Sequence, residues 1–133
     1  MTSIQRLRPQ GLAFSPALSH VAVVPPGATT IYVGGQNAVD ASGALVGGSD
    51  VAAQSARALA NAKTALEAAG ATIDDVVQWT VLFVDGVDLA AAYGAIAGDL
   101  ASDEPALVTS ARVAGLGVPG ALVEIAAIAA VFR

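Results

Sequence analysis

The stretch GALVEIAAIAAVFR, residues 120–133, is apolar from position 121 to position 132 with the single exception of Glu124. Its Val and Ile content and the glycine- and proline-containing segment before it, residues 115–120, predict a β-strand. Both faces of this strand are apolar, since Ile125 and Val131 fall on one side and Ile128 and Phe132 on the other. A strand of this kind needs a cover on each face of its sheet.

Glu124 is the one polar side chain in this strand, and an ionised carboxylate in an apolar setting costs several kcal/mol unless it is paired or solvated. Two interpretations follow. The carboxylate lies at a solvated edge or a subunit boundary, or it belongs to a functional site.

Length and composition predict one domain, residues 1–133, with one core. Hydrophobic residues make up 55% of the chain and charged residues 13%, so few charges are available to cover the surface. We therefore expect part of the surface to be shared with other copies of the chain. Charged residues interrupt every apolar run before it reaches the length of a bilayer, and the N-terminal MTSIQRLRPQ lacks the apolar core of an export signal. The expected location is the cytoplasm, with no membrane partner.

The chain has no cysteine, which excludes disulfides, thiolate nucleophiles and cysteine-ligated zinc. Its formal net charge is −5, and its six Lys and Arg residues form no run. Nucleic-acid-binding proteins concentrate positive charge on one face, so nucleic acid is not the expected partner.

The order of predicted elements is two or three short strands, a helix, a strand, a helix and two strands. The second and third strands, separated by a Pro-Pro-Gly turn, are predicted to pair as a hairpin. Asp85 is the predicted cap of the second helix, and Gly70 the residue that ends the first. The predicted strands are residues 4–7, 20–24, 30–34, 76–84, 106–113 and 121–132, and the first helix is residues 50–69.

This order predicts an α+β sheet whose two helices cover only one face. The uncovered face carries Leu122, Ile128 and Leu82. The predicted cover for that face is another copy of the chain.

Five segments resemble the RidA/YjgF family, the reactive intermediate deaminases, along nearly the whole chain. Their order and spacing, more than any one segment, carry the resemblance. The segments are YVGGQ (32–36), D-x-x-x-Q-x-x-x-A-L-x-N (50–61), EAAGATIDDVV (67–77), TVLFVDGVD (80–88) and GALVEIAAIA (120–129).

The resemblance implies a chorismate-mutase-like α+β fold and a homotrimer whose sheets form a central barrel, with ligand clefts between subunits. Active members of the family hydrolyse enamines and imines to keto acids and ammonia, and they use no metal or cofactor. A glutamate on the last strand of these members positions water or transfers a proton, and Glu124 matches it.

Three positions depart from the family pattern. The arginine that binds the substrate carboxylate is replaced, by Val108 if the chain is aligned on Val113-Ala114 or by Leu107 if it is aligned on Pro105-Ala106. Gly34 replaces a serine, and no aromatic residue occurs at positions 17–19, where the family has one.

The remaining candidates have two interpretations each. Arg112 is either a displaced anion clamp or an exposed arginine in a salt bridge. His20 is either an acid or base, or a hydrogen-bonded structural residue. Gln54 and Asn61 are expected on the polar face of the first helix or at an interface. The candidate substrate-binding residues are Tyr32, Gly34, Gly35, Gln36, Asn37, Val108, Arg112 and His20, with Glu124 the candidate catalytic residue.

Three functions remain open from the sequence. The first is a trimeric protein that binds a small enamine, imine or carbonyl compound between subunits, with or without a divergent hydrolase activity. The second is a 2-iminoacid deaminase in which Arg112 or backbone amides replace the lost arginine. The third, RNA cleavage, is disfavoured by the acidic charge.

Overall fold

The structure is a computed structural model that describes residues 3–133. Among these residues, two helices and six strands follow one another in the order β-β-β-α-β-α-β-β, and a short 3-10 turn, Ile73–Asp75, precedes the fourth strand. The elements are β1 (Gln5–Leu7), β2 (Val21–Val23), β3 (Ala28–Gln36), α1 (Val51–Ala68), β4 (Val76–Val84), α2 (Leu89–Leu100), β5 (Leu107–Val113) and β6 (Val123–Phe132).

The four longer strands form one sheet in the order β3-β6-β4-β5, and β6 lies inside it. Strand β6 is antiparallel to both of its neighbours, whereas β4 and β5 are parallel. A parallel pair needs a long connection, which α2 provides. Both neighbours of β6 are therefore strands, as expected for the most apolar segment of the chain.

Both helices cover the same face of the sheet, and the core lies between them and it. Alternate residues of β6 and β4 that face the helices, such as Val123, Ile125 and Val81, are fully buried. The α+β arrangement with two helices on one face is confirmed.

The ends of α1 follow the sequence signals. Asp50 accepts a hydrogen bond from the backbone N–H of Ala53 (3.2 Å), and Gly70 takes a φ of +78° after the last turn. The prediction for α2 is wrong, because its cap is Asp88 rather than Asp85. Gly86, with a φ of +91°, turns the chain between these two residues, so the helix begins at Leu89.

The predicted hairpin is also wrong. Strand β2 pairs with β1 in a separate two-stranded sheet, and β3 pairs with β6. The nine residues of β3 match the ten of β6 in length, so their pairing satisfies more backbone groups of the central strand than a three-residue β2 could.

Within the described residues, no helix is long and apolar enough to cross a bilayer.

Candidate functional site

The sheet face away from the helices is called here the open face. Residues that pair directly across neighbouring strands point to the same side, so the register assigns each side chain to a face. The open face includes three rows across the inner part of the sheet, namely Tyr32, Ile128, Gln78 and Leu107, then Ala126, Thr80 and Thr109, then Glu124, Leu82 and Ala111.

The open face is mostly apolar and is not covered within one chain. Tyr32 is 76% exposed, and no other large hydrophobic side chain among the described residues exposes a greater fraction. Ile128 and Leu82 are only half-buried although they lie in the two inner strands. An apolar face of this kind usually meets another protein surface.

Glu124 is the only charged side chain in the three rows, and its carboxyl group packs against the backbone of Gly35. A Cβ atom at position 35 would lie 2.7 Å from Cδ and 2.7 Å from Oε2 of Glu124. Gly35 is not among the glycines with positive φ, so a side chain at position 35 is disfavoured by the lack of space beside Glu124 rather than by backbone conformation. The absence of a side chain at position 35 therefore leaves the space that the Glu124 carboxyl group occupies.

The same glycine lies in an irregularity of the sheet. The register between β3 and β6 shifts between Val33 and Gln36, and the two residues between them are Gly34 and Gly35. Bulges of this kind frequently occur beside active sites because they redirect side chains. Here the shift places Gly35 beside Glu124.

Among residues 3–133, no group donates a hydrogen bond or an ion pair to the Glu124 carboxylate, and the three rows of the open face contain no Lys or Arg. An unpaired carboxylate next to apolar side chains is available to a ligand or to water. It can accept a proton or stabilise a positive charge.

Gln54 fixes the backbone just before β6 and thereby helps to fix the position of Glu124. Its side-chain nitrogen donates to the carbonyl oxygens of Gly48 (2.6 Å) and Gly120 (3.1 Å), and its oxygen accepts from the N–H of Leu122 (2.8 Å). Gln54 is fully buried, so its prediction as a polar-face residue is wrong. It hydrogen-bonds three backbone groups outside its own helix, which helical periodicity alone cannot reveal.

Asn37 is a second link to the same strand. It is buried, and its Nδ2 donates to the carbonyl oxygen of Val123 at 3.0 Å. Asn61 donates in turn to the carbonyls of Asn37 and Val39, both at 2.9 Å, while Gln36 donates to the carbonyl of Gly34. These three side-chain amides stabilise the backbone of the 32–37 segment around the candidate site.

Asp40 organises the loop that follows. Hydrogen bonds from the Ser42 hydroxyl and from the N–H groups of Ala44 and Ser42 hold the pKa of the Asp40 carboxyl below its ordinary value. Its carboxylate is thus engaged with its own turn.

The β4–β5 register separates two predicted site residues from Glu124. Val108 pairs with Trp79 and Arg112 with Phe83, both core residues, so Val108 and Arg112 lie on the helix-facing side. Arg112 lies 3.9 Å from Asp85, at an exposed position. Within one chain, neither residue shares a face with Glu124.

Leu107, the alternative position of the family arginine, does lie on the open face. It is two rows and two strands away from Glu124, which corresponds to about 13 Å along the strands and about 10 Å across them. A side chain at position 107 therefore cannot act with Glu124 of the same chain.

His20 lies at the start of β2, outside the four-stranded sheet. The ring Nε2 of His20 is 2.6 Å from the carbonyl oxygen of Ala13, and the backbone N–H of His20 donates to the carbonyl oxygen of Leu7. These contacts match the structural interpretation of His20. In the described part of the chain, no group of three or more His, Asp or Glu side chains is arranged to hold a metal ion.

Comparison with known proteins places this geometry in a family. The family described as Endoribonuclease L-PSP matches residues 11–131. A Rid-family protein of Yersinia pestis has a similar structure, with a TM-score of 0.84 and 32% identity, over 98% of this chain and 100% of that one.

Two further structures agree. RidA of the Antarctic bacterium Psychrobacter sp. has a TM-score of 0.68 and 28% identity over 98% of this chain and 99% of that one. The yjgF gene product of Escherichia coli has a TM-score of 0.67 and 32% identity over 80% of this chain and 83% of its own. The chain belongs to the Rid/YjgF family, as its sequence motifs predicted.

Proposed function

We propose that this protein binds and hydrolyses a small imine or enamine at Glu124, in a cleft that forms when three copies of the chain cover one another's open faces. The main support for this function is the position of the Glu124 carboxyl group. An unpaired carboxylate lies on an apolar, uncovered sheet face, in a space that exists because residue 35 is glycine.

The exposed apolar rows support the assembly. Leaving Tyr32, Ile128 and Leu82 in water forgoes about 25 cal/mol for each Å² of apolar surface that could be buried. Covering this face also removes water from around the carboxylate, which strengthens its interaction with a positively charged ligand. The homotrimer that the family resemblance implies would supply the cover.

The chemistry of an imine suits a lone carboxylate. A protonated imine carries its positive charge on the carbon–nitrogen double bond, where an anionic oxygen stabilises it. Glu124 accepts a proton as water adds to the carbon and returns it to nitrogen as the carbon–nitrogen bond breaks, and the remaining hydroxyl proton passes to the departing ammonia. The sum converts one protonated imine and one water molecule into one carbonyl compound and one ammonium ion, so water is the only co-reactant.

The charge distribution favours a substrate without a carboxylate. The other described positions of the open face have hydroxyl, amide or apolar side chains, and they include Leu107, one of the two positions that align with the family arginine. A substrate carboxylate would find no side-chain cation in these rows and would be repelled by Glu124. The same argument disfavours RNA, whose phosphates need a basic face.

We expect imines that lack a carboxylate to be hydrolysed with a kcat/KM at least about tenfold higher than that of the corresponding 2-imino acids, from the like-charge repulsion. The measurement is ammonia release, with imines made in situ by an amine oxidase or an amino-acid oxidase. The spontaneous rate without the protein is subtracted for each substrate. Preference for the 2-imino acid would contradict the charge argument, and no acceleration of either imine would contradict the proposed function.

A further inference from the structure

A groove lies between α1 and the loop that follows β3. Arg57, Asn61, Ala65 and Ala68 lie on one face of α1 at spacings of three or four residues, and loop residues 39–41 form the other wall. The volume of the groove is about 470 Å³. Small-molecule sites have volumes of about 300–1,000 Å³, so the groove has the size of such a site.

Asn61 fixes the two walls relative to each other. Its Nδ2 donates to the carbonyl oxygens of Asn37 and Val39, both at 2.9 Å, and its Oδ1 accepts from Nε of Arg57 at 3.1 Å. The loop is thus bound to α1, and the guanidinium group of Arg57 is held through one of its three nitrogens. A groove that is formed before a ligand arrives lowers the entropy cost of binding.

Two opposite charges border the groove without pairing with each other. Arg57 lies on one wall and Asp40 on the other, and no ion pair joins them within residues 3–133. In the same part of the chain, no oxygen accepts a hydrogen bond from Nη1 or Nη2 of Arg57, and Oδ2 of Asp40 accepts no hydrogen bond. One wall therefore offers cationic donors to a ligand, and the other offers an anionic acceptor.

The Asp40 carboxyl group keeps its negative charge at neutral pH. The hydroxyl of Ser42 and the N–H groups of Ala44 and Ser42 lower the pKa of Asp40, and the positive charge of Arg57 makes a smaller contribution in the same direction. All three hydrogen bonds go to Oδ1. The other oxygen of the ionised group therefore remains available to a cation.

We propose that this groove binds a free amino acid with an apolar side chain. Its carboxylate binds Arg57, its ammonium group binds Asp40, and its side chain lies against Val39, Ala65 and Ala68. A simple anion would be attracted by Arg57 and repelled by Asp40, and a simple cation the reverse. Only a ligand with both charges interacts favourably with both walls.

The groove is separate from the open face. Gln36, which borders the groove, pairs across the sheet with Ile125, a core residue. Gln36 is therefore on the helix side of the sheet, whereas Glu124 is on the opposite side. Binding in the groove needs no imine and no step at Glu124, so it is independent of the proposed hydrolysis.

The test uses L-leucine as the probe, added to the full chain and followed by NMR. We expect saturable binding with a Kd of about 1 mM. Isocaproate is leucine without its ammonium group, and isoamylamine is leucine without its carboxylate. Each should bind at least about tenfold more weakly than leucine, because it leaves one charged wall without a partner. This comparison uses the wild-type protein and does not depend on the folding of a variant.

Two variants test the two walls. Arg57→Gln and Asp40→Asn should each weaken leucine binding by at least about tenfold. Asparagine keeps the oxygen that accepts the three loop hydrogen bonds, so Asp40→Asn removes the charge without removing the turn. Arg112→Gln and Asp74→Asn make the same changes outside the groove and should bind leucine normally.

Three results would overturn the proposal. Leucine does not saturate the protein, Arg57→Gln or Asp40→Asn binds leucine as tightly as the wild type, or isocaproate binds as tightly as leucine. In the last case the groove recognises a single negative charge, and Asp40 serves only its own turn.

Discussion

Glu124→Gln is expected to lower the rate of imine hydrolysis by about a hundredfold or more, because a positioned acid or base contributes about 10²–10⁴ to a rate. Glutamine has nearly the shape of glutamate, so it fits beside Gly35, but its amide accepts no proton at neutral pH. It also removes the negative charge that stabilises a protonated imine. The measurement is ammonia release under single-substrate conditions, with the amine-derived imine.

The control for this variant is Glu67→Gln, which removes an exposed carboxylate on α1 and should retain the wild-type rate. Both variants should keep the melting temperature of the wild type within a few degrees. A Glu124→Gln protein with the full rate would show that the carboxylate is not the proton acceptor, and would leave Glu124 as a boundary residue of the assembly.

Gly35→Ala is expected to lower the same rate by about a hundredfold, since a displacement of about 1 Å at a catalytic group can cost that much. The added methyl group would lie 2.7 Å from the Glu124 carboxyl carbon. The flexible end of the glutamate moves away more easily than the backbone of β3 or β6 does. The loss should therefore appear in the hydrolysis rate while the fold is kept.

Gly34→Ala is the matched control, because a Cβ atom at position 34 has no neighbour within 4 Å in one chain. It carries the same change in backbone entropy, and its φ is also one that alanine adopts. We expect Gly34→Ala to retain most of the activity. Equal losses of hydrolysis rate in the two variants would mean that the substitutions disturb the bulge as a whole rather than the position of the Glu124 carboxylate.

The sequence predicted the elements in which local signals and tertiary packing agree. The apolar run at 121–132, the apolar stripe of the capped and glycine-terminated helix at 50–69 and the alternation around Trp79 each place their side chains as the structure does. The family resemblance was likewise confirmed by comparison. In these segments the periodicity of burial is set within a single element.

The errors lie where a partner in space decides the outcome. The β2–β3 hairpin was inferred from a turn signal. In the structure β3 pairs with the central strand β6 instead, because β3 is long enough to hydrogen-bond along most of β6. Gln54 appeared polar on a helical wheel, yet the backbone groups of residues 48, 120 and 122 require its amide. No local pattern contains that requirement.

The candidate site could be predicted only in part for the same reason. Glu124 stood out because it interrupts an apolar strand, and Gly35 was singled out with its neighbours by the family motif. The particular role of Gly35, which is to leave space for the Glu124 carboxyl group, follows only from the bulge between β3 and β6. Whether a β5 residue shares a face with Glu124 depends on the register of three strands, which placed Arg112 on the opposite side.

We propose that copies of the chain complete the site by covering the open face, and sedimentation equilibrium measures whether they do. The chain mass is 13.0 kDa, so a homotrimer has a mass of 3 × 13.0 = 39.0 kDa. We expect that value at every concentration at which the protein hydrolyses imines. A mass of 13.0 kDa for the active protein would rule out this assembly as a requirement for hydrolysis, because Glu124 would then act on a face open to water.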